Sequence, residues 1–346
     1  MALRDNRGFH ATVGGHPPQL IIDTCMQIWP TDADFSVAHQ HSVAAYAVTA
    51  FDPLADIRSA MSSMMEWHAI AREHDHLHVA LTAADIETHY QNGHASLILA
   101  SQGGDFIEDR IHRLEAFYRL GLRMVMLTYN HSNNLACGCL DTRDDGLTAL
   151  GRVLVSEANR LGMVLDVTHL GKRSSLEIIE HSSQPVVFSH SSVRALVDNP
   201  RNIDDEQIDA VIAKGGLVSV ASWGPLLFQG EWPTTHNLAD HIDYIAQRAG
   251  STKNISIGTD MSLGSYPYHE HSRWPNAFTM DSVTAEYNQV VSGDVRSPKR
   301  GLADFNDYTE YQNAMDTLAG RGYSAEDIAG IVGGNFLRVA REVWGS

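Results

Sequence analysis

A short apolar run, rich in β-branched residues and closed by polar ones, occurs eight times along this sequence. Near-continuous apolar runs of this length are typical of strands buried on both faces, as in a parallel sheet. The eight predicted strands are Leu20–Gln27, Ala45–Phe51, Ala95–Gln102, Met124–Asn130, Val164–His169, Pro185–Ser191, Leu217–Trp223 and Ser256–Asp260.

Helical periodicity fills segments between these runs. Apolar residues recur at helical spacing in Asp56–Arg72 and in Gly146–Arg160, and Gly162 follows the second of these as a helix stop. We interpret Asp144 and Asp145 as N-cap residues of that second helix. Strands alternating with helices predict an α/β fold, a closed (β/α)8 TIM barrel. A doubly wound open sheet is the alternative, but the glycine-rich phosphate loop expected after its first strand is missing.

The length favours a single barrel domain over residues 1–346, because barrels routinely exceed ~250 residues as one domain. Two segments are longer than a minimal barrel requires. Gln229–Ile242 follows the seventh run, and Leu263–Ala303 follows the eighth. Long loops on the strand-end face commonly cover a site, so we expect both insertions to do so.

The balance of charge bears on possible partners. Acidic residues outnumber basic ones by 42 to 25, which gives a formal charge of −17. A chain this negative is poorly suited to nucleic acid or to an anionic membrane surface. We therefore expect a small-molecule substrate.

The three cysteines, Cys25, Cys137 and Cys139, are an odd and sparse set, which is typical of a reducing compartment. The first ten residues contain no apolar signal core, and no apolar run reaches the ~18 residues that would span a membrane. We expect a cytoplasmic protein.

Polar side chains stand where three predicted strands end. His169 closes the fifth run, His190 lies at the end of the sixth, and Asp260 closes the eighth. Such strand ends form the catalytic rim of a barrel. Neutral imidazoles and a carboxylate are suitable zinc ligands, and an open coordination position holds water. The three residues together predict a metal or acid–base site.

Four longer segments resemble the membrane dipeptidase (renal dipeptidase) family of the amidohydrolase superfamily. They read GLTALGRVLVSEANRLGMVLDVTHLG, PVVFSHSSVRALVDNPRN, SIGTD and GGNFLRVAREVW, and the resemblance extends from Ile21 to Trp344. It implies a (β/α)8 barrel of the metal-dependent hydrolase type that cleaves dipeptides with two zinc ions. It also implies a homodimer.

Roles follow from the resemblance position by position. His169 and His190 match the two histidines that hold the second zinc. Asp260 matches the aspartate of the last strand, which contacts the activated water and moves protons. Arg201 matches the arginine that binds the substrate carboxylate, a task for which the planar guanidinium is well shaped.

Other positions depart from the family pattern. Cys25 and Gln27 stand where the family has the His-x-Asp ligands of its first zinc, and Gln102 stands where it has the glutamate that bridges both metals. Tyr129 replaces a histidine that contacts substrate, and we expect Tyr129 and Asn130 to line the substrate pocket. An amide is a weak zinc ligand, so these differences predict a divergent member that lacks the usual first-metal ligands. Cys25, as a thiolate, and Gln102 are further candidate ligands, although a buried cysteine also serves as a small apolar filler.

The positions that do match the family predict a site for about one zinc ion at His169 and His190, with Asp260 as the catalytic residue. The first hypothesis is therefore a dipeptidase-like amidohydrolase that cleaves a dipeptide or an N-acyl amino acid by metal-activated water. The second is a barrel with one metal or none that acts on a carboxylate-bearing non-peptide, as a lyase or decarboxylase. The third is a non-catalytic binder of small molecules.

Two other groups of residues are weaker candidates. Cys137 and Cys139 follow the fourth run and could line the site, but a C-x-C pair lacks two further ligands at zinc spacing. His74, His76 and His78 alternate by two, which does not bring them to one helical face, so we expect them to lie on a solvated surface.

Overall fold

The computed structural model describes residues 20–26, 43–261 and 301–345. Its strands are β1 (Ile21–Met26), β2 (Val43–Thr49), β3 (Leu77–Val79), β4 (Ala95–Ser101), β5 (Leu122–Met126), β6 (Val164–Asp166), β7 (Val186–Ser191), β8 (Leu217–Ala221) and β9 (Ile255–Gly258). Eight of them pair side by side in the order β1-β2-β4-β5-β6-β7-β8-β9, all parallel, while β3 pairs with β4 outside this path. The predicted α/β barrel of eight parallel strands is confirmed, and each of the eight runs overlaps one of its strands, although β2, β5 and β9 begin one or two residues before the predicted runs.

The barrel closes where its first and last strands meet. Met26 and Met261 form a parallel bridge there, and the backbone N–H of Asp260 donates to the carbonyl of Cys25 at 2.8 Å. The carboxyl ends of β1 and β9 are thereby held side by side. We call this junction the seam.

Helices surround the strands. They are α1 (Ile57–Glu73), α2 (Ala83–Gln91), α3 (Arg113–Arg119), α4 (Ala149–Leu161), α5 (Lys172–His181), α6 (Asp205–Ala213), α7 (Gly224–Leu227), α8 (Thr235–Ala249), α9 (Tyr311–Gly320), α10 (Ala325–Ala329) and α11 (Asn335–Trp344). Strand residues such as Leu97 and Leu99 join the large core beneath this ring of helices, whereas the alternate residue Ile98 joins a second core with α11. This period of two is what strands buried on both faces require.

The C-terminal segment covers the amino-terminal mouth of the barrel. The backbone around Gly333 lies against the start of β1, where an added Cβ would be 2.1 Å from the carbonyl oxygen of Leu20. In the same region the Ser256 hydroxyl donates to the carbonyl of Ile331 at 3.0 Å. The carboxyl ends of the strands are at the opposite mouth.

Several local predictions need correction. Helix α4 ends as predicted, with Gly162 in the left-handed conformation at φ 73°, but its N-cap is Thr148. Asp144 instead caps α5, where its carboxylate accepts from the backbone N–H groups of Arg173 and Ser174 at 2.6 and 3.1 Å. Asp144 is close to α4 in the sequence, which is why it was expected to cap that helix. In the folded chain it lies against the start of α5.

The histidine segment runs from the end of α1 into β3. His74 follows the helix with an extended backbone, His76 lies in a turn, and His78 belongs to β3. His78 is half-buried between His89 and His94, and its Nε2 lies 2.8 Å from Nδ1 of His94. His74 and His76 are half-buried too, with their ring centroids 5.8 Å apart. All three side chains are therefore partly exposed to solvent.

The two predicted insertions differ in how much of each lies within the described residues. In the first, residues 229–234 form a loop, but the rest belongs to helix α8, which begins at Thr235. In the second, residues 263–300 are outside the described residues. Within the part of the chain that is described, no helix combines the length and apolar character needed to cross a membrane.

Candidate metal centre and substrate pocket

The candidate residues meet at the carboxyl-terminal mouth of the barrel. Each lies at the end of a strand or in the loop that follows it, and each is nine-tenths or more buried. They are Cys25 (β1), Gln102 (after β4), Tyr129 and Asn130 (after β5), His169 (after β6), His190 (β7), Arg201 (after β7) and Asp260 (after β9). Gln27 is outside the described residues.

Three of these residues adopt the left-handed backbone conformation. The φ angles of Asn130, His169 and Asp260 are 61°, 65° and 55°, and Glu108 is the one other described non-glycine residue with positive φ. This conformation costs free energy for residues with a side chain, and such strain concentrates at functional sites.

A cluster of metal-binding atoms lies at the centre of the site. One atom each from Cys25, His190 and Asp260 all lie within 4.8 Å of one another, and these residues form the one group of this kind among the described residues. The Cys25 thiol donates to Oδ1 of Asp260 at 3.8 Å. Sulfur, nitrogen and oxygen donors of these types are those that zinc takes in proteins.

His169 lies beside this cluster. Its Nε2 is 2.9 Å from Nε2 of His190, and its Nδ1 is 2.7 Å from Oδ1 of Asn130. An amide oxygen only accepts, so Nδ1 of His169 holds the proton and Nε2 carries a lone pair. That lone pair also faces Arg201, whose Nη2 donates to it at 3.0 Å.

The tautomer of His190 follows from its neighbour. The Ser189 hydroxyl, which has one hydrogen, donates it to Asp166 and therefore accepts from Nδ1 of His190 at 2.8 Å. The lone pair of His190 is then on Nε2, the nitrogen that faces His169. Two lone pairs 2.9 Å apart repel each other, and a cation near Nε2 of His190 removes that repulsion. The donor set fits a metal ion.

Buried aspartates fix the backbone beneath these ligands. Asp166 accepts from the backbone N–H groups of Thr168 and Ser189 at 3.0 and 3.2 Å, and so holds the residues that precede His169 and His190. Asp23 accepts from the backbone N–H groups of Cys25 and Thr259 at 3.1 and 2.8 Å, next to Asp260. Neither aspartate is among the site residues predicted from the sequence.

Burial also sets the protonation of the site. It lowers the pKa of His169 and of His190 well below the usual value, and the positive charge of Arg201 acts in the same direction. Both imidazoles are therefore neutral, the form that binds metals. Burial raises the pKa of the Cys25 thiol well above its usual value, and the Asp260 carboxylate adds to this effect.

Two predicted pocket residues support His169. The ring of Tyr129 stacks on the imidazole with centroids 4.1 Å apart and an interplanar angle of 28°. The Oδ1 atom of Asn130 accepts a hydrogen bond from Nδ1 of His169. Both residues are placed where they orient His169.

Gln102 is oriented toward the sulfur. Its Nε2 donates to Sγ of Cys25 at 3.2 Å and to Oγ1 of Thr49 at 3.0 Å. An amide nitrogen has no lone pair to give a metal. Gln102 therefore contacts the cluster as a hydrogen-bond donor.

Cys139 contacts His169 and Asn130, although its sequence pattern made it only a weak candidate. Its backbone N–H donates to the carbonyl of His169 at 2.8 Å, and its thiol donates to Oδ1 of Asn130 at 3.7 Å. Burial raises the pKa of this thiol to about 11. The Cys-x-Cys spacing was its only signal, and that spacing describes zinc sites of another kind.

Known proteins are similar to this chain in sequence and in architecture. The profile of the membrane dipeptidase family (peptidase family M19) matches residues 31–277 and 290–344. A dipeptidase of Claviceps purpurea is 28% identical over 78% of the chain and 56% of its own length, and dipeptidase 3 of Mus musculus is 30% identical over 71% of the chain and 44% of its own length. The chain thus spans about half the length of these relatives.

A crystal structure of an amidohydrolase from Pseudomonas aeruginosa aligns with a TM-score of 0.82 and 26% identity, covering 95% of this chain and 97% of that one. The sequence match covers most of the chain, and the structural match includes the barrel on which the site is built. The chain belongs to the membrane dipeptidase family, peptidase family M19.

Proposed function

We propose that this chain is a metal-dependent hydrolase that cleaves a small amide bearing a carboxylate, with dipeptides as the first substrate class. The observation on which this rests is the buried Cys25, His190 and Asp260 cluster beside the guanidinium of Arg201. Relatives at 28–30% identity carry the name dipeptidase, which supports the same class.

The metal would be zinc, about one ion per chain, held by Cys25, His190 and Asp260. His169 lies next to this cluster. Zinc bound there would polarise the scissile carbonyl and activate water for attack. Three protein ligands with an open position are the usual arrangement of catalytic zinc. The absence of a carboxylate at Gln102 supports one ion rather than two.

The side chains of the chain itself divide the remaining tasks. Arg201 binds the substrate carboxylate through its planar guanidinium. Asp260 accepts a proton from the attacking water and returns it to the leaving nitrogen, as a general base and then acid. Tyr129 and Asn130 keep His169 in one orientation, and the burial of all these residues excludes bulk water, which strengthens each electrostatic contact.

A hydrolysis assay tests this proposal. The protein is stripped with a chelator, reloaded with zinc and offered L,L-dipeptides, dipeptides with a C-terminal D-residue, N-acyl amino acids and dipeptides whose carboxyl group is capped as an amide. We expect cleavage of uncapped substrates by the zinc-loaded protein and little cleavage by the stripped protein. If zinc-loaded protein cleaves none of the carboxylate-bearing amides, the proposal is wrong.

A further inference from the structure

We propose that the metal ion is bound through the thiolate of Cys25, together with His190 and Asp260, and that His169 is not one of its ligands. This inference rests on the proposed function in that it specifies the metal centre of the same site. It makes the centre a sulfur-ligated one.

The geometry of the cluster supports three ligands of three chemical types. Zinc–sulfur bonds are about 2.3 Å and zinc–nitrogen or zinc–oxygen bonds about 2.0–2.2 Å, so ligand atoms around one ion lie roughly 3–4 Å apart. The atoms of Cys25, His190 and Asp260 are within 4.8 Å of one another, and Sγ is 3.8 Å from Oδ1. Small side-chain rotations close the remaining gap.

The hydrogen bonds separate the two histidines. Both ring nitrogens of His169 are engaged by groups other than a metal, because Asn130 accepts from one and Arg201 donates to the other. In His190, Nδ1 donates to Ser189, and the lone pair of Nε2 has no hydrogen-bond donor among its described contacts. The nitrogen that needs a cation is therefore on His190, the histidine that shares the cluster with Cys25.

One hydrogen bond at the sulfur is of the kind that a thiolate ligand accepts. The amide N–H of Gln102 donates to Sγ at 3.2 Å, and Thr49 holds that amide in place by accepting its second N–H at 3.0 Å. Hydrogen bonds to a ligand sulfur orient it and tune its bond to the metal. On binding, the thiol loses its proton to solvent as the sulfur–metal bond forms, so each metal bound releases one proton from Cys25.

A thiolate ligand also determines which metal is preferred. Soft sulfur favours zinc and its analogues cobalt and cadmium, whereas magnesium and manganese prefer oxygen ligands. We therefore expect the chain to select zinc or cobalt over manganese. This preference can be measured without any substrate.

Cobalt substitution tests the inference. Apo protein is titrated with Co²⁺, and we expect about one equivalent to produce the near-ultraviolet charge-transfer absorption of a cobalt–thiolate bond, with release of a proton. Cys25→Ser should abolish this absorption and weaken binding by at least ~100-fold, more than the 10- to 100-fold loss typical of outer contacts. Cys137→Ser and Cys139→Ser are the matched controls and should keep the absorption.

Wild-type protein that binds cobalt without the thiolate absorption would overturn the inference, and so would an absorption that persists in Cys25→Ser. The wild-type measurement does not depend on the folding of any variant, and far-ultraviolet circular dichroism checks Cys25→Ser.

The two histidines provide an independent comparison. His190→Gln should lose tight cobalt binding, whereas His169→Gln should keep both the stoichiometry and the thiolate absorption. Loss of the absorption in a folded His169→Gln protein would contradict the proposed ligand set. A protein that shows the cobalt–thiolate absorption but no hydrolysis would refute the proposed function and support the proposed ligands. Hydrolysis by a protein without that absorption would support the proposed function and refute the proposed ligands.

Discussion

Arg201 brings its guanidinium into a buried site next to two neutral histidines. Its backbone is fixed by the side chain of Asn199, which accepts from the Arg201 N–H at 3.0 Å. A buried cation at such a position favours an anionic substrate group in its neighbourhood. We therefore propose that Arg201 selects amides that carry a carboxylate.

Replacing Arg201 by Lys or Gln should raise KM for uncapped substrates by roughly 10- to 100-fold, because a hydrogen bond to a charged group is worth about 1.5–3 kcal/mol. Steady-state kinetics with each uncapped substrate and its amide-capped partner provide the measurement. For the amide-capped substrates, the same substitutions should change KM little. Arg194→Lys is the control, because Arg194 is exposed and pairs with Asp198. An equal loss on capped and uncapped substrates would refute carboxylate recognition by Arg201.

At the scale of residues, the sequence predicted which side chains meet but not how they contact one another. His169, His190 and Asp260 follow strands, and parallel strands bring their carboxyl ends to one mouth, so convergence was predictable. The contacts that distinguish His169 from His190 come from Asn130, Ser189 and Arg201. Those contacts depend on rotamers and left-handed turns, which no spacing pattern encodes.

Gly258 in β9 shows how closely this strand approaches β7 and β1. A Cβ there would be 1.9 Å from the carbonyl oxygen of Ser189 in β7 and 2.6 Å from the hydroxyl of Thr24 in β1. Gly258 precedes Asp260 by two residues, and Ser189 precedes His190. The missing side chain therefore lets the strands bearing two of the candidate ligands approach.

Gly258→Ala should destabilise the fold by about 1–3 kcal/mol or more, since added volume in a packed interior strains the backbone. It should also weaken cobalt binding, because β9 must move relative to β7. The matched control is Gly320→Ala at the end of α9, where a Cβ meets nothing within 4 Å, so stability should change little or rise slightly. Urea unfolding of both variants tests this, and equal stabilities would contradict it.

Helix α8 is joined to the loop after β7 by a buried histidine. Nδ1 of His241 accepts from the backbone N–H of Val193 at 2.9 Å, and its Nε2 donates to the carbonyl of Leu227 at 3.2 Å. Burial lowers the pKa of His241 to about 4. The imidazole is therefore neutral in the folded protein at pH 7.

Because the folded pKa lies below the ordinary value of 6.5, the unfolded chain binds the proton first as pH falls. The stabilising contribution of neutral His241 is complete above about pH 6.5 and is lost as pH falls toward 4, by about 3 kcal/mol in all. Urea unfolding of wild type and His241→Gln at pH 7.5 and 5 should show their stability difference shrinking by about 2 kcal/mol at the lower pH. A stability difference that stays constant between the two pH values would refute the assignment.

At the scale of elements, long periodic segments were predictable and short ones were not. The eight barrel strands and the helices around residues 57–73 and 149–161 follow from apolar spacing. Strand β3 spans three residues and was missed, because three residues are too few to show a period. The cap of α5 by Asp144 was missed for another reason, namely that it joins residues 29 and 30 positions apart.

The whole molecule depends on closing the sheet between its first and last strands. Among the described residues, β1 and β9 are joined by the Met26–Met261 bridge and the bond from Asp260 to Cys25, while the other neighbours in the barrel share ladders. Side chains reinforce this seam, since Asp23 accepts from the Thr259 N–H at 2.8 Å. Two of the three proposed ligands, Cys25 and Asp260, lie on opposite sides of the same seam.

A metal held by both ligands would therefore stabilise the barrel where its backbone pairing is sparsest. At a free zinc concentration 100 times the Kd, we expect the free energy of unfolding to rise by about 2.7 kcal/mol. Hydrogen exchange should slow most in β1 and β9 and least in β4 and β5, because local opening of the seam precedes global unfolding. In Cys25→Ser, zinc should give no such localised protection. Protection spread evenly over all strands would show that the metal does not join the two ends of the sheet.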